Sequence, residues 1–467
     1  MRFYFLGKVA ALLAVLVVLL WGLQAISEIV REREGRQREA ETSVADALAG
    51  AQTVLGPVLQ RQCRETWEQF EGEGKERRLV RQHRDFSLAA WPRTLDVTAS
   101  AGIEPRYRGL FKINSYLAKA HITADWTDLA QLKPVAEYSN GMVRCEAATL
   151  GIAVTDARGI QAASVRIGTQ SLPVLPGSLI NAGPRGFHSV LKDDLNYDAP
   201  LRLDIAFNLA GTRSLAWVPV GDETRVQLDA DWPHPSFGGR FLPTSRTITE
   251  RDFKAQWQVS SLATTAPQMV LAGTKQCALT TLAMQNDRTD PTCVDSFGVG
   301  FIDPVSTYVL SDRAVKYGLL FVVLTLVGVA LVEVMRRLRV HPMQYLLVGS
   351  ALTLFFLLLL SLSEHVAFAW AYLGASVACT ALLTFYAHHI LHGWRPGLAF
   401  GGGVALLYAA LYALLQMEQT ALVLGSLLLF VVLAAVMVAT RRLDWYALTA
   451  QLRADSTRRP AVDGLGA

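Results

Sequence analysis

The amino-acid sequence predicts a membrane protein with a six-helix α-helical transmembrane bundle and a large β-rich, sandwich-like domain inserted between the first and second spans. Two observations predict this architecture. Six apolar runs are long enough to cross a bilayer, which takes about 20 residues. Between residues 27 and 313 the composition is instead that of an ordinary soluble domain, in which apolar residues alternate with polar ones.

The predicted spans lie on both sides of this soluble domain. They are Phe5–Ala25, Tyr317–Val334, Tyr345–Leu362, Val366–Phe385, Gly397–Leu415 and Thr420–Ala439. Arg2 and Lys8, together with the first apolar run, also fit a cleavable signal peptide. That run is long for a signal peptide and continues into a charged, helix-favouring segment, so we favour an uncleaved anchor.

Arginines predict the orientation of the spans, because cytoplasmic loops of membrane proteins carry an excess of Lys and Arg. They follow spans two, four and six: Arg336, Arg337, Arg339, Arg395, Arg441, Arg442, Arg453, Arg458 and Arg459. Both termini are therefore predicted on the cytoplasmic side of a bacterial inner membrane.

The predicted domains are an N-terminal anchor (1–26), a periplasmic β-rich domain (27–313), a five-span bundle (314–440) and a cytoplasmic tail (441–467).

Within the predicted periplasmic domain, residues 27–52 indicate a charged helix that continues out of the membrane. Beyond Gly56 the pattern changes to strict alternation. The clearest runs are Ala120–Trp126, Leu201–Leu209, Val226–Trp232 and Phe253–Val259. Alternation buries one face of a strand and exposes the other, which is typical of antiparallel sheets.

Four of the five cysteines lie in this domain. An oxidising periplasm permits two disulfides, and four cysteines allow three connectivities. Cys277–Cys293 would close a local loop and leave Cys63–Cys145 as the second pair, and unpaired thiols are the alternative. The cysteines lack the Cys-x-x-Cys spacing of zinc sites, so we expect no metal and no cofactor.

A set of short motifs lies in one order along nearly the whole chain. They are Trp232-Pro-His-Pro-Ser-Phe237, Gly239, Phe241-Leu-Pro243, Gly56-Pro-Val-Leu59, Asp156-Ala-Arg-Gly159, Arg313-Ala-Val-Lys-Tyr317, His341-Pro-Met-Gln-Tyr-Leu-Leu-Val-Gly349, Leu362-Ser-Glu-His365 and Asp444-Trp-Tyr446. Together they resemble the CreD family of inner membrane proteins, also called cell envelope integrity proteins. The resemblance implies a role in envelope stress and a functional link to a two-component system. It implies no known reaction, and it lends no support to the disulfides.

The third span carries the first candidate binding residues. Glu364 and His365 stand at its outer end, where an adjacent carboxylate and imidazole could relay protons or bind a polar head group. The alternative is that they cap the helix. His341, Gln344 and Tyr345 at the other end of this span mark either a helix start or a cytoplasmic vestibule.

The candidate binding segment outside the spans, in the predicted periplasmic domain, contains Trp232, His234, Ser236 and Phe237. Two prolines stiffen it around an imidazole flanked by aromatic residues, which fits a binding loop and equally a rigid corner.

Other polar and small residues in the spans have structural interpretations. Glu333 is expected to pair with Arg336 and Arg337 on one helix face. His388, His389 and His392 lack a metal-binding motif. Glycines 397, 401, 402 and 403 favour close helix packing in the fifth span.

Charge and motifs exclude several function classes. The formal net charge is only +4 without a dense basic block, which argues against nucleic acid. The sequence has no phosphate-binding loop, nucleophile elbow or zinc-protease motif. We favour a non-catalytic factor in contact with membrane lipids, whose periplasmic domain binds envelope lipids, glycans or proteins. The alternatives are a transporter or flippase of an amphipathic envelope molecule and an intramembrane enzyme acting on a lipid-linked substrate.

Overall fold

The computed structural model describes residues 2–71, 78–192, 195–279, 292–301, 307–336, 338, 340–391, 393–417 and 421–441. The chain divides into two compact units. The membrane unit comprises Met1–Arg36 and Val305–Ala467, and the β unit comprises Gln37–Pro304. The domain boundaries predicted near residues 26 and 313 stay predictions. The predicted tail beyond Arg441, together with Arg337, Arg339 and His392, lies outside the described residues.

The described residues of the β unit form two sheets. The nine-stranded sheet comprises β1 (Gln52–Glu71), β2 (Arg78–Ala90), β5 (Met142–Cys145), β6 (Thr149–Val154), β9 (Leu175–Pro176), β10 (Gly186–Val190), β12 (Ser214–Trp217), β14 (Ser236–Gly239) and β17 (Phe297–Gly300). The eight-stranded sheet comprises β3 (Thr94–Arg108), β4 (Phe111–Trp126), β7 (Ile160–Ile167), β8 (Gln170–Leu172), β11 (Leu201–Thr212), β13 (Glu223–Ala230), β15 (Ser245–Ile248) and β16 (Phe253–Ser260). A short helix, α2 (Ala266–Leu271), follows β16.

Strand order in the eight-stranded sheet is β15-β16-β13-β3-β4-β11-β7-β8. In the nine-stranded sheet it is β14-β17-β12-β1-β6-β10-β9, with β2 and β5 also paired to β1. Most pairs are antiparallel, as the alternation predicts, but β1–β12 and β3–β13 are parallel. The alternating runs form strands β4, β11, β13 and β16, although the run predicted over Val226–Trp232 leaves the strand after Ala230.

The two sheets share one hydrophobic core, which makes the β unit a sandwich. Phe187 of β10 meets Phe207 of β11 edge-on at 5.8 Å, and Trp257 of β16 lies 5.7 Å from Phe297 of β17. Each pair joins one sheet to the other. The inward residues of the alternating strands therefore meet across the sandwich and leave the opposite face of each strand outside.

The Gly56-Pro57 motif forms an irregularity in β1, where its pairing with β6 shifts between Leu55 and Val58. Gly56 has φ of 114°. Only glycine adopts this backbone conformation readily. A Cβ at Gly56 would also lie 2.8 Å from the carbonyl oxygen of Gly151.

The Asp156–Gly159 motif closes the end of the long first helix, α1 (Arg2–Ala47). Arg158 donates hydrogen bonds to the carbonyl oxygens of Ala45 and Asp46, which have no partner within the helix. Asp156 Oδ2 accepts from the backbone N–H of Gly50 at 3.1 Å. The predicted helix over residues 27–52 is thus continuous with the first span and ends at Ala47.

Both expected disulfides are present in the structure. Cys63 of β1 lies opposite Cys145 of β5 and is bonded to it. Cys277 and Cys293 form the second bond. The fifth cysteine, Cys379, is buried in the membrane unit as a free thiol.

Within the described residues, six helices have segments in the membrane unit: part of α1, then α3 (Thr307–Arg336), α4 (Pro342–Ser363), α5 (Phe368–Ile390), α6 (Trp394–Gln416) and α7 (Ala421–Thr440). Five of these, α1 and α3–α6, are long and apolar enough to cross a membrane. The apolar part of α7, Val423–Val438, is shorter. The exact count of six spans stays a prediction.

Glycines bring α5 and α6 into close contact, as expected for the fifth span. A Cβ at Gly401 would collide with Thr384 Oγ1, and one at Gly397 would lie 2.9 Å from the backbone of His388. Gly402 and Gly403 have open space instead. Only one side of this glycine-rich stretch therefore forms the helix interface.

Candidate functional site

The Trp232–Phe237 segment is held on the sandwich core. Trp232 is buried, and its indole N–H donates to the carbonyl oxygen of His234 at 2.8 Å. Phe237 packs edge-on against Phe253 at 5.6 Å and Trp257 at 5.7 Å. Ser236 pairs with Gly300 between β14 and β17. The His234 side chain is exposed, so it remains the group of this segment that is open to a ligand.

Glu364 forms one polar cluster of the membrane unit, the Glu364 cluster, with Arg33 and Tyr308. Arg33 Nε lies 3.5 Å from Glu364 Oε1, and the Tyr308 hydroxyl donates to the same oxygen at 3.4 Å. The carboxylate side chain is 11% exposed. His365 is exposed, and its backbone N–H bonds to Leu362. The structure therefore joins Glu364 to groups from α1 and α3.

His341 and Gln344 form a capping box at the start of α4. His341 Nδ1 accepts from the backbone N–H of Met343 at 3.2 Å, and Gln344 Oε1 accepts from that of His341 at 2.9 Å. These bonds satisfy amide groups that the first helical turn leaves unpaired. This geometry supports the helix-start interpretation for both residues.

Tyr345 belongs to a second cluster, the Glu333 cluster, with Lys8, Glu333 and Val340. The Tyr345 hydroxyl donates to Glu333 Oε2 at 2.6 Å, and the Val340 N–H donates to Oε1 at 3.1 Å. Lys8 Nζ forms an ion pair with the same carboxylate. The expected pairing of Glu333 with Arg336 is wrong, because the described contacts of Glu333 connect α3 to α1 and α4 instead. Arg337 lies outside the described residues.

A small cavity of about 30 Å³ lies beside the Glu333 cluster. Glu333, Gln344 and Tyr386 line it together with apolar side chains of α3–α6. Such a volume holds about one or two water molecules. It provides no room for an amphipathic substrate.

The two clusters lie near opposite ends of the helices. Lys8 and Arg33 are separated by 25 positions along α1, and Tyr308 and Glu333 by 25 positions along α3. At 1.5 Å per residue this is about 37 Å, somewhat more than the ~30 Å hydrocarbon core of a bilayer. Both carboxylates therefore lie near the ends of the membrane-spanning helices rather than at their midpoints.

The outward face of the eight-stranded sheet contains a groove of about 530 Å³. Its lining residues come from β3, β4, β7, β11 and β13: Thr98, Ala99, Ser100, Lys119, Ala120, His121, Ala162, Ala163, Ser164, Ala206, Phe207, Asn208 and Asp229. This volume is typical of small-molecule sites. The groove could not be predicted from the sequence, because alternation shows that residues such as Lys119 and Ala206 face outward but gives no cross-strand neighbours.

Among the carboxyl groups of the β unit that the structure describes, Asp156 has the most strongly shifted pKa. Hydrogen bonds from the Arg158 guanidinium lower the pKa of Asp156 to about 2, assisted by the Gly50 amide and opposed by burial. Burial raises the pKa of Tyr116 well above its usual value. Its hydroxyl donates to the Ser214 carbonyl at 2.7 Å, so both groups act in the fold.

Within the described residues, no group of three or more His, Cys, Asp or Glu side chains is arranged to hold a metal ion. His388 stacks on Trp394 with ring centroids 4.1 Å apart, and His389 bonds to the carbonyl oxygen of Phe385. Both imidazoles therefore have local packing roles.

Comparison with known proteins identifies relatives along nearly the whole chain. The family described as CreD, Inner membrane protein CreD, matches residues 4–446. Inner membrane protein CreD of Escherichia coli (strain K12) is 31% identical over 443 residues, which cover 95% of this chain and 94% of that protein. A solved M1 zinc metallopeptidase from Deinococcus radiodurans is 10% identical, covers 36% of this chain and 38% of its own, and has a TM-score of 0.16. A structural likeness this low carries no argument about the fold or the activity.

Proposed function

Because the chain belongs to the CreD family of inner membrane proteins, we propose that it maintains cell envelope integrity under stress as a non-catalytic factor. In this proposal the β unit faces the periplasm and binds envelope components, both termini are cytoplasmic, and the spans anchor the protein among membrane lipids. The functional link to a two-component system, which the family resemblance implies, is part of the same proposal.

The observation that carries this proposal is the contrast in size between the groove of the β unit and the cavity beside the Glu333 cluster of the membrane unit. The β unit has a 530 Å³ groove, whereas the cavity beside the Glu333 cluster is about 30 Å³. Both membrane carboxylates already bind a cation and a tyrosine of their own chain. Ion-coupled transporters place such groups at the midplane, next to broken helices. Here they lie at the helix ends, which favours anchoring over transport.

The proposal is tested by rescue of envelope-stress sensitivity in a strain that lacks this protein, with variant levels matched by immunoblot. Glu364→Gln and His365→Ala should rescue, because the membrane unit remains assembled. Ala206→Trp, which fills the β-unit groove from an exposed position, should not rescue.

The control is Arg202→Trp, which places the same bulk on the same exposed side of β11 outside the groove and should rescue. Failure of Glu364→Gln at normal abundance would contradict the proposal and favour transport or intramembrane chemistry. Full rescue by Ala206→Trp would contradict the role given to the groove. His234→Ala tests the exposed loop in the same assay, and its failure would add this loop to the binding surface.

A further inference from the structure

The outward face of the eight-stranded sheet has two zones that differ in how their side chains are bonded. In the first zone, polar side chains pair with one another across strands. Thr94 donates to Asp125 at 3.1 Å, and Thr123 donates to Asp204 at 3.3 Å. Arg225 lies 3.5 Å from Asp96. This paired zone satisfies its own hydrogen-bonding groups.

The second zone, the open zone, consists of Thr98, Ser100, Lys119 and Asn208. Ser100 lies opposite Lys119, and Lys119 lies opposite Asn208, in adjacent strands. The structure gives these four exposed or half-buried side chains no hydrogen bond or ion pair with any residue that it describes. The same four residues line the groove. Their donors and acceptors are therefore free for a ligand.

Small residues make the recess in this zone. Ala206 lies opposite His121 of β4 and Ser164 of β7, and Ala162 lies opposite Asn208. All of these side chains point away from the sandwich core, and longer ones such as Lys119 form the walls. The groove crosses five neighbouring strands, about 19 Å at the usual strand spacing. Its shape suits an extended chain more than a compact molecule.

The charges of the groove are balanced. The lining residues Lys119 and Asp229 carry opposite charges. Asp229 lies 3.4 Å from Lys254 Nζ, and His121 lies 3.8 Å from Asp204. A phosphate-rich polyanion would require a cluster of cations, and lipid tails would require exposed apolar surface. Phe207 lines the groove but is 3% exposed and packs in the core. The remaining groups are hydroxyl, amide, ammonium and imidazole, which match neutral hydroxyl and amide groups.

We propose that the open zone binds a neutral glycan chain with hydroxyl and acetamido groups. The proposal rests on the proposed function, since it names the class of envelope component that the β unit binds. Lys119 and Asn208 donate to sugar oxygens from one wall, Thr98 and Ser100 bind from the floor, and the small side chains of Ala162 and Ala206 leave space for the sugar rings.

The test measures binding of chitotetraose, a neutral acetamido-bearing tetrasaccharide, to the full-length protein in nanodiscs. Saturation-transfer NMR and titration would be used for the wild type, Ala206→Trp, the double variant Lys119→Ala/Asn208→Ala, and Arg202→Trp. We expect binding by the wild type, at least tenfold weaker binding by the first two variants, and affinity within twofold of the wild type for Arg202→Trp. Intact near-UV circular dichroism confirms that each variant is folded.

Absent binding by the wild type, or equal loss in Arg202→Trp, would overturn the glycan assignment. An extended neutral peptide is titrated in parallel, and groove-dependent binding of that peptide without chitotetraose would also overturn it. The rescue assay separates this failure from failure of the proposed function. If Ala206→Trp loses rescue while chitotetraose does not bind, the β unit still binds an envelope component and only its chemical class is wrong.

Discussion

The Glu333 and Glu364 clusters use the same chemistry at the two ends of the membrane unit but differ in geometry. Each contains a carboxylate near the C-terminal end of its helix, a cation from α1 and a tyrosine hydroxyl from a neighbouring helix. Negative charge is unfavourable at that end of a helix, so each carboxylate requires its cation. The α1 helix thereby becomes part of the bundle at both ends.

The difference lies in how closely the donors approach. Glu333 accepts from Tyr345 at 2.6 Å and from the Val340 amide at 3.1 Å, in addition to Lys8. Glu364 has contacts of 3.4 and 3.5 Å. The two carboxylates are almost equally buried, with 12% and 11% of the side chain exposed. The two clusters therefore match in burial and in the kinds of groups they contain, and they differ in their contact distances.

The largest expected effect comes from removing each carboxylate. Glu333→Ala leaves Lys8 and the Tyr345 hydroxyl without their partner, and should lower the free energy of unfolding by about 3–5 kcal/mol. Glu364→Ala should cost only about 1 kcal/mol, because its contacts with Tyr308 and Arg33 are 3.4 and 3.5 Å long. Reversible unfolding in nanodiscs or mixed micelles measures both. Equal losses would show that the two clusters are equivalent in energy despite their geometry.

A smaller difference in unfolding free energy is expected between variants that lack the tyrosine hydroxyl of each cluster. Tyr345→Phe removes a short hydrogen bond to a charged group and should cost about 2 kcal/mol. Tyr308→Phe removes a long hydrogen bond and should cost about 0.5 kcal/mol. The same unfolding measurement applies, and the Tyr412→Phe variant on α6 serves as a control away from both carboxylates. A larger loss in Tyr308→Phe would reverse the ranking of the clusters.

The smallest effect is expected at Asp156, a carboxylate of the β unit that serves as a reference for both clusters. The pKa of Asp156 is about 2 in the folded protein because of Arg158, below its unfolded value of roughly 3.9. A depressed folded pKa stabilises above the unfolded pKa, and this stabilisation is lost as pH falls from about 4 to 2. Since Arg158 is half exposed, we expect a contribution of about 1 kcal/mol.

Unfolding followed by tryptophan fluorescence between pH 5 and 2 measures the contribution of Asp156. Asp156→Asn should lose stability at pH 5 and show a shallower pH dependence than the wild type. Asp85→Asn is the control, because Asp85 pairs with Arg64 in a fully exposed position. Identical pH profiles for the wild type and Asp156→Asn would contradict the assignment and remove Asp156 as a reference.

Sequence patterns predicted most of the architecture. Apolar runs of about 20 residues located the helices, since the bilayer fixes the length of a span. Alternation located β4, β11, β13 and β16, because a half-buried strand has a period of two. The local bond Cys277–Cys293 and the second bond Cys63–Cys145 are both formed. Glu364 lies at the end of a span, as expected, and its binding role stays a prediction.

The sequence patterns did not show which distant residues contact each other, and both main sites depend on such contacts. Glu333 was expected to pair along its own helix, but Lys8, which lies 325 positions away, provides the cation. Ser100, Lys119 and Asn208 are ordinary polar residues of three strands until the register places them side by side. Periodicity therefore determined which residues face water, membrane or core. Only the tertiary structure decided which of them meet, because helix contacts and strand register bring together residues that no local spacing relates.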